Sequence, residues 1–211
     1  MNIELHNKLT TDGYLSFDLS TEIKEKLIPI AAKIKEIEFR NLRHTGCGNS
    51  DSTNDSFENL EKLKKEYAPL KKWQVWYQEH NLRNHITADE YNFLHEIFTN
   101  IIQDVYPVDS YSKQIFINCT MYNKLCYINN HQDGNNGNRL GNILIYLNND
   151  YIDGMGGEII INNNIKVNPD LGKVAILDFS NVNPQHAVTE VLDETFRRIS
   201  IIVELTQNNE K

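Results

Sequence analysis

Residues 119–134 read CTMYNKLCYINNHQDG, and this stretch carries the strongest indications of fold and chemistry in the chain. A tyrosine-bearing apolar segment is followed by a short polar turn and by a second segment that ends in His131, Gln132 and Asp133. Side chains two positions apart in a strand point to the same face, so His131 and Asp133 are predicted to project together from a strand end. The pair is weak evidence alone, because a chain with seven histidines can contain a His-x-Asp by chance.

Two downstream residues strengthen this interpretation. His186 lies in NPQHAV, just after the apolar run VAILDF, where it is predicted to enter the core from a strand end or a turn. Two imidazoles and one carboxylate can bind one face of an octahedral metal and leave three positions open. Arg198 begins the apolar segment RISIIVEL, where an inward-facing arginine is costly unless it meets an anion, and its planar fork suits a carboxylate. The combination indicates a non-haem Fe(II) oxygenase that uses 2-oxoglutarate.

The neighbouring Arg197 is the alternative anchor for a carboxylate. Strand alternation puts Arg198, Ser200 and Ile202 on one face, and it puts Arg197 on the other. We therefore expect Arg197 to face solvent, but predicted strand ends can shift by a residue or two, so the choice between the two arginines stays open at this point.

The second half of the chain is predicted to be rich in β-strands. Short apolar segments alternate there with turn-rich segments such as DGNNGNRLG and NNDYIDGMGG. Many short strands separated by turns are typical of a β-sandwich or jelly roll. The predicted strands are Gln114–Tyr122, Leu125–His131, Asn142–Leu147, Glu158–Ile161, Val174–Phe179 and Arg198–Leu205.

The first half is predicted to be mainly helical. Apolar residues recur at helical spacing from Thr21 to Phe39, with a kink or a restart expected at Pro29. A second helix is predicted to begin at a capping box formed by Thr87 and Glu90 and to end before Pro107, and its buried stripe is Leu94, Phe98, Ile101 and Val105. Residues 72–77 alternate as a strand does, and the polar segment 45–56 is predicted to be a surface loop.

Composition narrows the function classes. The chain has 211 residues, 40% of them hydrophobic, and a net charge of -8. This acidic balance argues against a nucleic acid as the main partner. No apolar run reaches the roughly 18–20 residues that span a bilayer, and no secretory signal is apparent, so the predicted location is cytoplasmic.

The three cysteines, Cys47, Cys119 and Cys126, lack metal or disulfide spacing and are predicted to be thiols in a reducing compartment.

The motifs resemble those of the 2-oxoglutarate/Fe(II)-dependent dioxygenase superfamily, and within it the prolyl 4-hydroxylase-like branch. The resemblance covers roughly residues 115–204. It rests on CTMYNKLCYINNHQDG, on NILIYLNNDYIDGMGGEIII with its Gly-Gly turn, on VAILDFSNVNPQHAVTEV, and on RRISIIV. The interval between His186 and Arg198 is slightly longer than is usual in this branch, and the N-terminal third matches none of its motifs.

This resemblance implies a set of roles for individual residues. His131, Asp133 and His186 would bind Fe(II). Arg198 and Tyr146 would hold the distal carboxylate of 2-oxoglutarate, and Tyr122 would line the same pocket. Beyond the metal site the resemblance assigns no catalytic residue. Both tyrosines are also compatible with ordinary packing in a β-core, as Tyr127 is.

The resemblance also implies a fold, a reaction and partners. The expected class is α+β, with a double-stranded β-helix (jelly-roll) core against which N-terminal helices pack. A single domain over residues 1–211 would comprise a helix-rich part, 1–110, and a jelly-roll catalytic core, 111–211. The expected reaction uses dioxygen, with ascorbate as an optional reductant, and hydroxylates a prolyl residue in a protein or peptide. The alternatives are another amino-acid residue, a small molecule, or a jelly-roll binding module without activity.

Overall fold

The structure is a computed structural model that describes residues 1–37, 42–46, 49–53, 76–124, 126–133 and 138–208. Its α-helices are α1 (Ile3–Asp12), α2 (Thr21–Lys35) and α3 (Ala88–Val105), and residues 82–84 form a short 3₁₀ turn. The strands are β1 (Tyr14–Asp18), β2 (Leu42–Gly46), β3 (Asn49–Thr53), β4 (Trp76–Asn81), β5 (Ile117–Tyr122), β6 (Ile128–His131), β7 (Arg139–Tyr146), β8 (Ile159–Ile161), β9 (Ile165–Val167), β10 (Lys173–Asp178), β11 (His186–Val188) and β12 (Arg198–Thr206).

Local sequence signals set the ends of the helices. The side chain of Asn2 accepts hydrogen bonds from the first free amides of α1, and Gly13 ends that helix at φ +77°, a conformation that glycine adopts without a side-chain clash. The predicted capping box of Thr87 and Glu90 begins α3, and the predicted buried stripe is confirmed. Helix α2 runs through Pro29 without restarting, and it ends at Lys35 rather than at residue 39.

The strands form two antiparallel sheets. The larger sheet has the order β1-β10-β7-β12-β5-β4-β2-β3, and the smaller has the order β6-β11-β8-β9. Alternation along β7 and β12 divides the core between the two faces of the larger sheet. Ile143, Ile145, Ile199 and Ile201 pack with the helices, whereas Leu144, Tyr146 and Ile202 pack toward the strands of the smaller sheet. This arrangement of helices, large sheet and small sheet confirms the expected jelly-roll core with N-terminal helices.

Several predicted elements differ from those observed. The segment 45–56 is not simply a loop, because Asn49–Thr53 form β3 and pair with β2. Hydrogen bonds between strand backbones do not require apolar side chains, so the polar composition concealed this pairing. The strand predicted over 72–77 is described only from Trp76, where β4 begins, and residues 72–75 lie outside the described residues. Strands β1, β9 and β11 and helix α1 were not predicted individually.

The N-terminal part contributes more than helices. Strand β1 pairs with β10, and β4 pairs with β5, so strands from both ends of the chain share the larger sheet. The division of the chain at residue 110 stays a prediction. Cys119 and Cys126 are buried and form no disulfide, as predicted, whereas Cys47 lies outside the described residues.

Candidate active site

Strand pairing in the smaller sheet brings the two predicted histidine ligands together. His186 begins β11 and lies directly opposite His131, the last residue of β6. The two imidazole centroids are 4.3 Å apart. Asp133 follows two residues after His131, and its carboxylate oxygens lie 3.8 Å from His131 Nε2 and 3.6 Å from His186 Nε2. The three side chains offer ligand atoms that all lie within 4.8 Å of one another, which is the spacing that a single metal ion requires.

Backbone carbonyls orient both imidazoles. The Nδ1 of His131 donates to the carbonyl of Asn129 at 2.8 Å, and the Nδ1 of His186 donates to that of Pro184 at 3.1 Å. Since a carbonyl can only accept, these bonds place a proton on Nδ1, and in the neutral imidazole Nε2 is then the ligand atom. Burial, followed by the nearby His131, lowers the pKa of His186 and favours the neutral form that binds metal. The donor set therefore fits a divalent metal such as Fe(II).

A neighbouring asparagine that the sequence did not single out supports Asp133. The amide of Asn183 donates to the backbone carbonyl of Asp133 at 2.9 Å, and the amide of Gln132 donates to the carbonyl of Asn183 at 2.7 Å. Asn183 has φ +48°, a left-handed conformation that asparagine tolerates better than most residues. The sequence predicted that His186 follows a strand end or a turn, but only the tertiary structure shows that residues 183–184 meet the His-x-Asp segment.

The guanidinium of Arg198 is buried between the sheets. Only 1% of the residue is exposed, and among the described residues no carboxylate pairs with it. Its donors reach the Gly157 carbonyl at 3.0 Å, the Ser200 hydroxyl at 3.1 Å and the Tyr146 hydroxyl at 3.3 Å. Its Cζ also lies 4.4 Å from the ring centroid of Tyr122. A buried cation held only by neutral groups is suited to a ligand carboxylate.

The two candidate arginines occupy different environments. Arg197 is half-buried and donates to the carbonyls of Lys35 and Ile37 at the end of α2, so it does not simply face solvent as expected. Those carbonyls lack partners within the helix, which explains their attraction for a cation. Of the two arginines, Arg198 alone projects into the interior with Tyr146 and Tyr122.

Residues around Arg198 that were not predicted shape its pocket. Ser200 is fully buried and shares a 2.7 Å hydrogen bond with Thr120, which lies opposite it on β5. Gly157 has φ +83°, and a Cβ atom there would lie 3.0 Å from Cγ of Arg198. Gly156 and Gly157 both have positive φ, +81° and +83°, but the hydrogen-bonded turn lies just before them, where the amide of Met155 donates to the carbonyl of Ile152 at 3.1 Å. Gly157 additionally provides space for the arginine. Tyr127, predicted to serve packing, packs against the cluster that contains Tyr122.

Comparison with known proteins agrees with this geometry. Residues 117–203 match the model of the 2OG-Fe(II) oxygenase superfamily. No curated protein sequence matches the chain significantly. Among solved structures, a prolyl-4-hydroxylase from Pseudomonas putida is 13% identical, with a TM-score of 0.61 over 97% of this chain and 98% of that one.

Two further solved structures share the fold. A prolyl hydroxylase from Trichoplax adhaerens, in complex with a peptide fragment of the hypoxia inducible factor oxygen degradation domain, is 13% identical, with a TM-score of 0.65 over 96% of this chain and 87% of that one. A viral collagen prolyl hydroxylase from Paramecium Bursaria Chlorella virus-1, in complex with 2OG, is 15% identical, with a TM-score of 0.56 over 92% of this chain and 96% of that one.

The predicted resemblance to the 2OG-Fe(II) oxygenase superfamily is thus confirmed for residues 117–203. The family implies Fe(II) and 2-oxoglutarate as cofactor and cosubstrate, and the chain has a His-Asp-His site for the metal. Ascorbate as a reductant stays a prediction. None of the described helices combines the length and apolar content that crossing a membrane requires.

Proposed function

We propose that this protein is an Fe(II)- and 2-oxoglutarate-dependent dioxygenase that hydroxylates a prolyl residue in a protein or peptide. The observation that carries the proposal is the convergence of His131, Asp133 and His186 in a jelly roll that also buries the guanidinium of Arg198. One set of groups suits a divalent metal, and the other suits the carboxylate of an organic acid.

The proposed roles follow from the chemistry of each group. His131 and His186 would bind the metal through Nε2, because Nδ1 of each is engaged by a backbone carbonyl. Asp133 would supply the third ligand. A facial set of three protein ligands leaves positions for 2-oxoglutarate and dioxygen.

The other end of 2-oxoglutarate would meet Arg198 and Tyr146. Burial raises the pKa of Tyr146, so its hydroxyl stays protonated and can donate a hydrogen bond to a carboxylate. Tyr122 would cover the same pocket with its ring, which lies against the guanidinium. Fe(II) and 2-oxoglutarate, when bound, would activate dioxygen, so that one oxygen atom enters succinate as 2-oxoglutarate loses carbon dioxide and the other oxygen atom enters the hydroxyl group of the substrate. The protein orders these groups and keeps three metal positions open.

The prolyl substrate is supported by fold similarity. The solved structures described above are prolyl hydroxylases, and one of them is bound to a peptide. Identities of 13–15% leave room for a different substrate on the same fold, so the substrate requires its own test.

The first experiment measures succinate formation from 2-oxoglutarate with Fe(II) in air. Wild type is compared with Asp133→Ala and with Asp153→Ala, which removes an exposed carboxylate that pairs with Lys166 at 2.7 Å. We expect iron-dependent turnover in wild type and in Asp153→Ala and none in Asp133→Ala. Full activity in a metal-loaded Asp133→Ala preparation would disprove the assigned triad.

The second experiment identifies the substrate. Peptides that contain proline, and matched peptides with alanine in its place, are incubated with the complete enzyme and analysed by fragmentation mass spectrometry. We expect the gain of one oxygen atom on a prolyl residue. An oxygen gain on another residue, or on a small molecule only, would keep the oxygenase and reject the prolyl substrate.

A further inference from the structure

Arg139 lies beside the proposed metal ligands although no sequence motif singles it out. It is the first residue of β7, and its Nη1 lies 3.6 Å from Oδ1 of Asp133. Its Nη2 donates to Glu204 at 2.6 Å and to the side chain of Asn142 at 3.3 Å. The guanidinium is therefore anchored on β7 and β12 while it faces the carboxylate of Asp133.

A second contact connects the same guanidinium with His186. The Cζ of Arg139 lies 5.4 Å from the ring centroid of Phe179, a residue only 2% exposed. The same ring also neighbours the imidazole of His186, stacked at a centroid distance of 6.0 Å with an interplanar angle of 15°. Arg139 thus contacts one proposed ligand directly and a second one through Phe179.

The positive charge of Arg139 is unexpected beside a proposed site for a metal cation. A guanidinium beside a cation site repels the cation, so charge alone would make Arg139 unfavourable for metal binding. The carboxylate of Asp133, however, has one oxygen facing Arg139 and the other 3.6 Å from Nε2 of His186. Contact with the guanidinium restricts rotation of the carboxylate and keeps that second oxygen directed at the imidazole.

We propose that Arg139 is a positioning residue, which sets the orientation of the Asp133 carboxylate and, through the ring of Phe179, of the His186 imidazole. This inference rests on the proposed function, because it takes both residues as metal ligands. It assigns to Arg139 no contact with the metal itself.

The test compares Fe(II) affinity in wild type, Arg139→Met and Arg83→Met. The methionine keeps an unbranched stem but removes the guanidinium that lies over Phe179. Arg83 is the matched control, since its guanidinium lies 4.6 Å from the ring centroid of Tyr91, on an element that carries no proposed ligand. Anaerobic calorimetry gives the dissociation constant without turnover, and the visible absorption of bound Co(II) reports any change in coordination.

We expect Arg139→Met to weaken Fe(II) binding by about 10- to 100-fold and to change the Co(II) spectrum. Arg83→Met should retain wild-type affinity. Glu204→Gln provides a second variant that leaves Arg139 in place but weakens its anchor, and it should weaken Fe(II) binding by up to about fivefold. The apo proteins are also unfolded thermally, so that loss of fold is separated from loss of metal.

Other outcomes would overturn the inference. Unchanged affinity in a folded Arg139→Met, or tighter binding as expected from charge alone, would refute a positioning role. An equal loss in Arg83→Met would attribute the effect to general destabilisation. A wild type that binds no Fe(II) would instead overturn the proposed function, so the two failures are distinguishable.

Discussion

Substitution of Gly157 by alanine tests the pocket of Arg198 without removing any polar group. Gly157 has φ +83°, and an added Cβ would lie 3.0 Å from Cγ and 3.2 Å from Cβ of Arg198. The positive φ costs an alanine about 1–2 kcal/mol. Ordinary van der Waals contact is about 3.5–4.0 Å, so the stem of the arginine must also move by roughly 0.5 Å. Misplacement by about 1 Å can cost about 100-fold, so we expect the KM for 2-oxoglutarate to rise several-fold.

Gly154→Ala is the matched control for this prediction. Gly154 has φ +98°, but an added Cβ would have no neighbour within 4 Å. Both variants should unfold at a lower temperature, by about 2–8 °C for a strain of about 1–2 kcal/mol. Only Gly157→Ala should raise the KM, measured by succinate formation at varied 2-oxoglutarate with Fe(II) saturating. Equal KM values in both variants would refute the reasoning that Gly157 makes room for the anchor.

Two further predictions concern buried or half-buried charges. Arg198→Met should raise the KM for 2-oxoglutarate at least tenfold, because hydrogen bonds to charged groups contribute about 1.5–3 kcal/mol, and it should not lower the unfolding temperature. Arg197→Met should leave the KM unchanged and destabilise the fold by about 1 kcal/mol. If kinetics and thermal unfolding showed the reverse pattern, the roles assigned to the two arginines would be exchanged. Burial opposes ionisation of Glu158, but hydrogen bonds from Thr189, Lys166 and Tyr151 outweigh it and lower its pKa from 4.5 to about 2. Because the folded pKa is the lower one, this stabilisation is complete above about pH 4.5 and is lost as the pH falls toward 2. Glu158→Gln should therefore lose less stability than wild type between pH 5 and pH 3 in urea unfolding, and an identical loss would show that this carboxylate does not drive the pH dependence.

Local sequence was sufficient where a signal lies within a few residues. The capping box at Thr87 and Glu90 is observed where it was expected, and Gly156 and Gly157 both have the positive φ that favours glycine. Strand alternation also separated the faces of β12 correctly, since Ile199 and Ile201 pack with the helices while Arg198 faces the interior. These features depend on backbone geometry over a few positions, and they need no knowledge of distant parts of the chain.

Local sequence was insufficient where pairing between distant strands decides the outcome. In the hairpin of β2 and β3, strand β3 has no apolar residue and β2 has only Leu42, so hydrophobic periodicity could not reveal it. Strand β1 is short, and among the described strands its one partner is β10, more than 150 residues later in the chain. Arg197 was expected to face solvent, and its contact with the end of α2 depends on how that helix packs against the sheet.

The sequence by itself determined which residues could supply the chemistry. His131, Asp133, His186 and Arg198 carry side chains whose ligand atoms and charges limit the possible functions, and strand periodicity determines their direction. The tertiary structure alone decided how these residues meet, because the pairing of β6 with β11 aligns His131 with His186. It also brought Arg139 to Asp133, a contact that depends on where β7 begins relative to the end of β6, and no local sequence rule encodes that distance.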